Sequence, residues 1–173
     1  MGIGVEDREL GGVCPVTGRS FGKVYRLLAA GALSGLLACS SLSPRLLFGG
    51  ELEVTPRIDA VANQNSAVAL SLLIVYDQKL LDQLLGLKAR DWFAMRDQIK
   101  QEHPAGKGFD IWEWEWVPGQ QVQPATLSFA TGARAGVIFA SYLSDGPHRV
   151  RIDPHQNIVI HLAEKDFSVE LAQ

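Results

Sequence analysis

Hydrophobic and polar positions alternate with period two over most of this chain, and one stretch breaks the rhythm. Leu52, Val54 and Ile58 fall at even positions among Glu53, Thr55, Arg57 and Asp59, which is the alternation of a half-buried strand. Pro56 interrupts it, and because proline cannot donate to a ladder the pattern predicts an edge strand. Beyond the polar connector Ala62-Asn63-Gln64-Asn65-Ser66, both faces of Ala67 to Tyr76 are covered by largely apolar residues, so a central strand is expected there. From Gln78 the period changes. Leu81, Leu84, Leu85, Trp92, Met95 and Ile99 recur at spacings of three, four, seven and eight, predicting a helical insertion over 78–102, as one helix or as two broken at Gly86. Pro104, Gly106 and Gly108 end it.

Period two then returns in six further stretches: Phe109 to Val117, Gln121 to Phe129, Ala135 to Leu143, His148 to Asp153, Asn157 to Leu162 and Phe167 to Leu171. Turn residues such as Pro118-Gly119 and Asp145-Gly146-Pro147 separate them. Ala135 to Leu143 is apolar on both faces and predicts a second central strand. Eight short strands joined mostly by tight turns imply antiparallel pairing. The expected fold is mainly β, an antiparallel two-sheet β-sandwich with one inserted helical segment.

The third of these eight strands carries Trp112, Trp114 and Trp116 on one face and Glu113 and Glu115 on the other. Two readings of the tryptophans follow. They lie under the inserted helix and meet Trp92 and Phe93, or they form an exposed aromatic face for a protein partner. The helix must bury its stripe somewhere, which favours the first.

A different pattern precedes the strands. Lys23 and Arg26 are followed by an apolar run from Leu27 to Ala38, the basic, apolar, small-residue order of a secretory signal. The run is shorter than the roughly eighteen residues expected of a spanning helix. Leu36-Leu37-Ala38-Cys39 resembles a bacterial lipobox. Such a resemblance implies cleavage before Cys39, lipidation of its thiol and acylation of the new amino terminus. Ser40 is not the aspartate that favours retention in the inner membrane, so an outer-membrane destination is expected. On this reading 1–38 is a signal peptide, 39–50 a lipidated tether and 51–173 the folded domain. Residues 1–22, with Glu6, Asp7 and Glu9, suit no signal peptide, which points to a mis-assigned start.

Composition narrows the partners. From Cys39 onward the chain carries 12 Lys and Arg against 16 Asp and Glu, which argues against a nucleic-acid partner. Cys14 and Cys39 are the two cysteines of the whole chain, so the folded domain is expected to stand without disulfides. Catalytic constellations are missing: no G-x-S-x-G elbow, H-E-x-x-H pair or Walker-type loop occurs. His103, His148, His155 and His161 show no ligand spacing, and Glu113 with Glu115 reads as strand alternation rather than an acid and base pair. No enzyme activity, metal or cofactor is expected.

With these features in place the chain resembles the outer-membrane lipoprotein of type VI secretion systems, the TssJ or SciN family. The resemblance rests on Asn65-Ser66 leading into an apolar strand that ends Val75-Tyr76, the helix beyond it, and Pro118-Gly119. It rests also on Gly136-Val137-Ile138-Phe139-Ala140-Ser141-Tyr142 followed by a strand with Arg149 and Arg151. It implies a transthyretin-like sandwich held at the outer membrane, facing the periplasm, that binds the periplasmic part of an inner-membrane subunit. The connector between the first two strands is implicated in that contact, which here means Asn63, Gln64, Asn65 and Ser66. That connector is short, leaving the helical region from Gln78 to Gly108 as a competing surface. The alternative is a generic lipoprotein binding module, an inhibitor or a ligand carrier, on the same sandwich.

Overall fold

The most hydrophobic strand is the one the others are built around. In the computed structural model, which describes residues 49–172 apart from Ala105, β2 (Val68–Val75) is buried at every position but Ala69. Its alternate residues serve two cores. Val68, Leu70, Leu72 and Ile74 enter the core between the sheets, whereas Leu73 and Val75 enter a second core beneath two helices. The signal segment 1–38, Cys39 and the tether as far as Phe48 lie outside the described residues.

The other strands are β1 (Gly50–Ile58), β3 (Phe109–Trp116), β4 (Ala125–Phe129), β5 (Ala135–Ala140), β6 (Arg149–Ile152), β7 (Ile158–Leu162) and β8 (Phe167–Leu171). They form two four-stranded sheets, ordered β4-β1-β7-β8 and β3-β2-β5-β6. The result is the expected sandwich. The helical insertion is two helices, α1 (Gln78–Gly86) and α2 (Ala89–Glu102), covering the outer face of the β2 sheet. Asp77 starts α1 by accepting the Leu80 N–H at 2.8 Å on Oδ1. Trp92 of α2 is fully buried, stacks on Phe139 at 5.2 Å and meets Phe109 edge-on.

Three expectations are corrected. First, β1 is not an edge strand: it lies between β4 and β7. Glu53 N donates to Asn157 Oδ1 and Asp59 N to Leu162 O, so odd-numbered residues of β1 turn their N–H toward β7. Pro56 therefore turns its nitrogen toward β4, whose ladder with β1 has already ended at Val54, and no donor is missed. Second, the pairing is not wholly antiparallel, because β1 and β7 run parallel, Val54 opposite Ile158 and Ile58 opposite Leu162. They are far apart in sequence, which leaves room for the crossover a parallel pair requires.

Third, the tryptophans face the other way. Trp116 is buried in the inter-sheet core, with Trp112 and Trp114 packed against it, while Phe109 and Ile111 on the opposite face meet the helices. Trp114 stacks on Trp116 at 5.5 Å. The helices are instead held over the Glu face: Glu113 pairs with Arg96 at 3.2 Å and Lys100 at 2.5 Å. Alternation fixed which residues share a face but not which core that face meets.

Candidate loop-end interface

Register alone divides the sandwich into two ends. Val68 pairs with Trp116, Leu70 with Ala140 and Ile58 with Leu162. Hence the segments 59–67, 117–124, 141–148 and 163–166 all emerge at one end. Gly50 pairs with Phe129 and Ile158 with Leu171, which puts the start of β1 at the opposite end. The nine residues of β1 separate the two by roughly 30 Å.

At the loop end the connector is one left-handed turn rather than an open link. Asn63, Gln64 and Asn65 have φ of 46, 55 and 64°, a conformation asparagine tolerates better than most side chains. Asn63 is only 2% exposed, and its amide is consumed internally. Nδ2 donates to Ala67 O at 2.8 Å and Ser141 O at 3.4 Å, and Oδ1 accepts Leu143 N–H at 2.7 Å. The backbone is tied as well: Asn63 N donates to Ala163 O and Gln64 N to Glu164 O, each at 3.1 Å. Of the four residues expected at a partner contact, Asn63 is thus a spacer that binds three loops together. Gln64 and Asn65 are exposed and Ser66 is half-buried.

Sequence reasoning missed the apolar residues around this turn. Val61 is 48% exposed, Val117 52% and Leu143 67%, and all three stand on segments of the loop end. The signal was present in principle, as aliphatic residues inside stretches otherwise rich in turn formers. Leu143 borders a cleft of about 360 Å³ between the start of α2 and the 141–148 loop, where Lys88 and Arg90 face Tyr142 and Asp145. The Tyr142 hydroxyl is held well above its usual range, by burial first and by the nearby charge of Asp166 second.

The remaining candidates for chemistry do not converge. His161 Nε2 pairs with Asp59 Oδ1 at 2.9 Å, and His155 lies against the Phe129 ring. Glu113 is paired with two cations and also accepts from Ser71 Oγ, contacts that tie it to α2 and β2 rather than to Glu115. Among the described residues no three of His, Cys, Asp and Glu gather in a group able to hold a metal ion. No described helix is long and apolar enough to cross a membrane.

No family model and no curated protein sequence matches the chain. Solved structures match it in fold. The type VI secretion lipoprotein TssJ1 from Pseudomonas aeruginosa gives a TM-score of 0.56 at 14% identity, covering 72% of this chain and 97% of that one. Lip from Serratia marcescens, a membrane-bound component of the type VI secretion system, gives 0.51 at 13% identity, covering 71% and 97%. The chain shares the sandwich of these lipoproteins, as the sequence resemblance led us to expect.

Proposed function

We propose that this chain is an outer-membrane-anchored lipoprotein of a type VI secretion system, and that it binds the periplasmic part of an inner-membrane subunit through its loop end. One observation carries the reading. β1 begins at the end of the sandwich opposite the loops, so with lipid on Cys39 the loops would be the part of the domain farthest from where β1 starts. Val61, Val117 and Leu143 are exposed there, and in this reading they serve as the apolar anchors of the partner surface. The likeness in fold to two type VI secretion lipoproteins supports the same assignment.

Within the loop end, Gln64 and Asn65 supply polar contacts at the rim, while Asn63 fixes the turn that displays them. The α1 and α2 surface is the competing site, and the Glu113 pairs with Arg96 and Lys100 consume three of the charges nearest to it. A ligand carrier would need a container, and the space between the sheets is occupied by side chains from both, Leu52, Leu72, Ile138 and Ile160 among them. The experiment is a binding titration of the full chain against the periplasmic part of a co-encoded inner-membrane protein. Leu143→Asp should abolish binding with the fold intact. Unchanged affinity in that variant would remove the loop end from the contact, and no binding by the wild-type chain would remove the secretion-system reading.

A further inference from the structure

Both ring nitrogens of His148 face groups that accept hydrogen bonds. Nε2 lies 2.8 Å from the Ser144 carbonyl, and Nδ1 lies 2.8 Å from Asp166 Oδ1. A carbonyl oxygen can only accept. Asp166 Oδ1 also receives the Phe167 N–H at 2.8 Å, so this oxygen acts as an acceptor here as well. A neutral imidazole has one N–H and would turn a lone pair against one of these oxygens, in a residue only 5% exposed. The doubly protonated ring satisfies both. The ring is also enclosed: Tyr142 stacks on it at 5.1 Å, and a Cβ added to Gly146 would come within 2.7 Å of it.

What this ring holds is the 141–148 loop. His148 itself has φ of +39°, a sparsely populated conformation for a side-chain-bearing residue that surrounding contacts must maintain. Its carbonyl accepts from Ala140 N, and the Pro147 carbonyl accepts from Ala89 N at the start of α2. At the other side of the loop, the Asn63 amide holds Ser141 and Leu143. Ser144 Oγ donates to the Lys165 carbonyl, so the loop is laced to the β7–β8 turn on which Asp166 stands. The charges around the ring are of both signs. Asp166 faces it from the β7–β8 turn and Asp145 stands on its own loop. Lys88, just before α2, and Arg90, in its first turn, line the same cleft, and Asp59 near Tyr142 is engaged by His161.

We propose that His148 is an imidazolium in the folded protein and acts as a charged pin that fixes the 141–148 loop, and with it Leu143, in the shape presented at the loop end. The pin needs both of its contacts, the Ser144 carbonyl on Nε2 and the Asp166 carboxylate on Nδ1, and is lost when either is removed. The consequence for partner binding rests on the function proposed above: affinity falls when the pin is removed by substitution, because Leu143 is no longer held.

The test is long-range ¹H–¹⁵N correlation of the histidine rings in the full chain at neutral pH. Two proton-bearing nitrogens are expected for His148, and a single protonated nitrogen with its partner at the shift of a lone-pair nitrogen would overturn the proposal. Asp166→Asn keeps an oxygen for Nδ1 but removes the charge, and should convert the ring to the neutral form. At one fixed pH, exchange of the Leu143 amide hydrogen should rise on the order of tenfold in Asp166→Asn and in His148→Asn, with β2 amides unchanged. Unaltered Leu143 exchange in both variants would refute the pin. Should His148→Asn fail to fold, the conservative Asp166→Asn carries the comparison alone. Partner affinity equal to wild type in both variants while the loop loosens would overturn the docking role of the loop and leave the protonated ring standing.

Discussion

The two ends of this sandwich are closed in different ways. At the end where β1 begins, the backbone itself is packed against β4: a Cβ on Gly49 would lie 2.1 Å from the Phe129 carbonyl oxygen, and one on Gly50 would lie 2.4 Å from the Phe129 ring. Tyr76 closes the same end, donating to Asp110 Oδ2 and accepting from Ala130 N at 3.0 Å. At the loop end the closure is made by side-chain amides and an imidazole, Asn63 and His148, each reaching across to other loops. The first arrangement leaves little backbone free to move. The second leaves the outer surface of the loops available, with Val61, Val117 and Leu143 exposed upon it. The proposed function, a lipid tether at one end and a partner at the other, would use this difference: tight where β1 begins and adaptable at the loops.

Perturbing the two ends should therefore separate stability from binding. The largest effect is expected for Asn63→Ala. It strands three internal hydrogen-bonding groups and a left-handed backbone, and should cost about 3 kcal/mol in chemical denaturation and lower partner affinity as well. Gly49→Ala should be nearly as destabilising, at about 2 to 3 kcal/mol, because φ is +78° and the new Cβ overlaps a carbonyl. Its partner affinity, measured below its lowered melting temperature, should equal that of the wild type. Leu143→Asp reverses the pattern, with stability within about 0.5 kcal/mol of wild type and a loss of at least about 2 kcal/mol in binding.

Tyr76 sharpens the contrast through pH. Burial first, and its hydrogen bond to Asp110 second, push its hydroxyl up to about 12 from the ordinary 10. The folded state thus holds this proton more tightly than the unfolded one. Its contribution is full below pH 10 and is lost as pH rises from 10 to about 12. Tyr76→Phe should remove that part of the alkaline decline, seen in melting temperature against pH, at a cost of about 1 kcal/mol at neutrality. The smallest effect is expected for Gln64→Ala, a rim contact whose loss should change affinity by less than about 1 kcal/mol in the same titration.

The sequence was most legible where a period could run its course. All eight strands followed from alternation, and the stripe Leu81, Leu84, Leu85, Trp92 located the helical insertion while leaving open whether it was one helix or two broken at Gly86. What escaped were facts of assembly. Pro56 read as an edge because a proline signals a missing donor, yet only the length of β4 shows that no donor was wanted there. Trp112, Trp114 and Trp116 declared a shared face, and Glu113 the opposite one, but the choice of neighbour depends on which side of the β2 sheet the helices cross. Asn63 and Asn65 look alike in the connector. The left-handed turn buries one and exposes the other, and neither composition nor period encodes that turn. His148 was legible as a histidine without a ligand pattern, and Asp166 as a turn residue. Their pairing, across 18 positions, belongs to the loop end as a folded object.

The central claim is that the loop end, and not the surface of α1 and α2, meets the partner. Hydrogen exchange of the full chain with and without the periplasmic part of the co-encoded inner-membrane protein tests it most directly. The account predicts new protection in 59–67, 117–124 and 141–148, with α1, α2 and the start of β1 exchanging as before. Protection confined to Gln78–Glu102, or to the end where Gly49 and Phe129 meet, would contradict it.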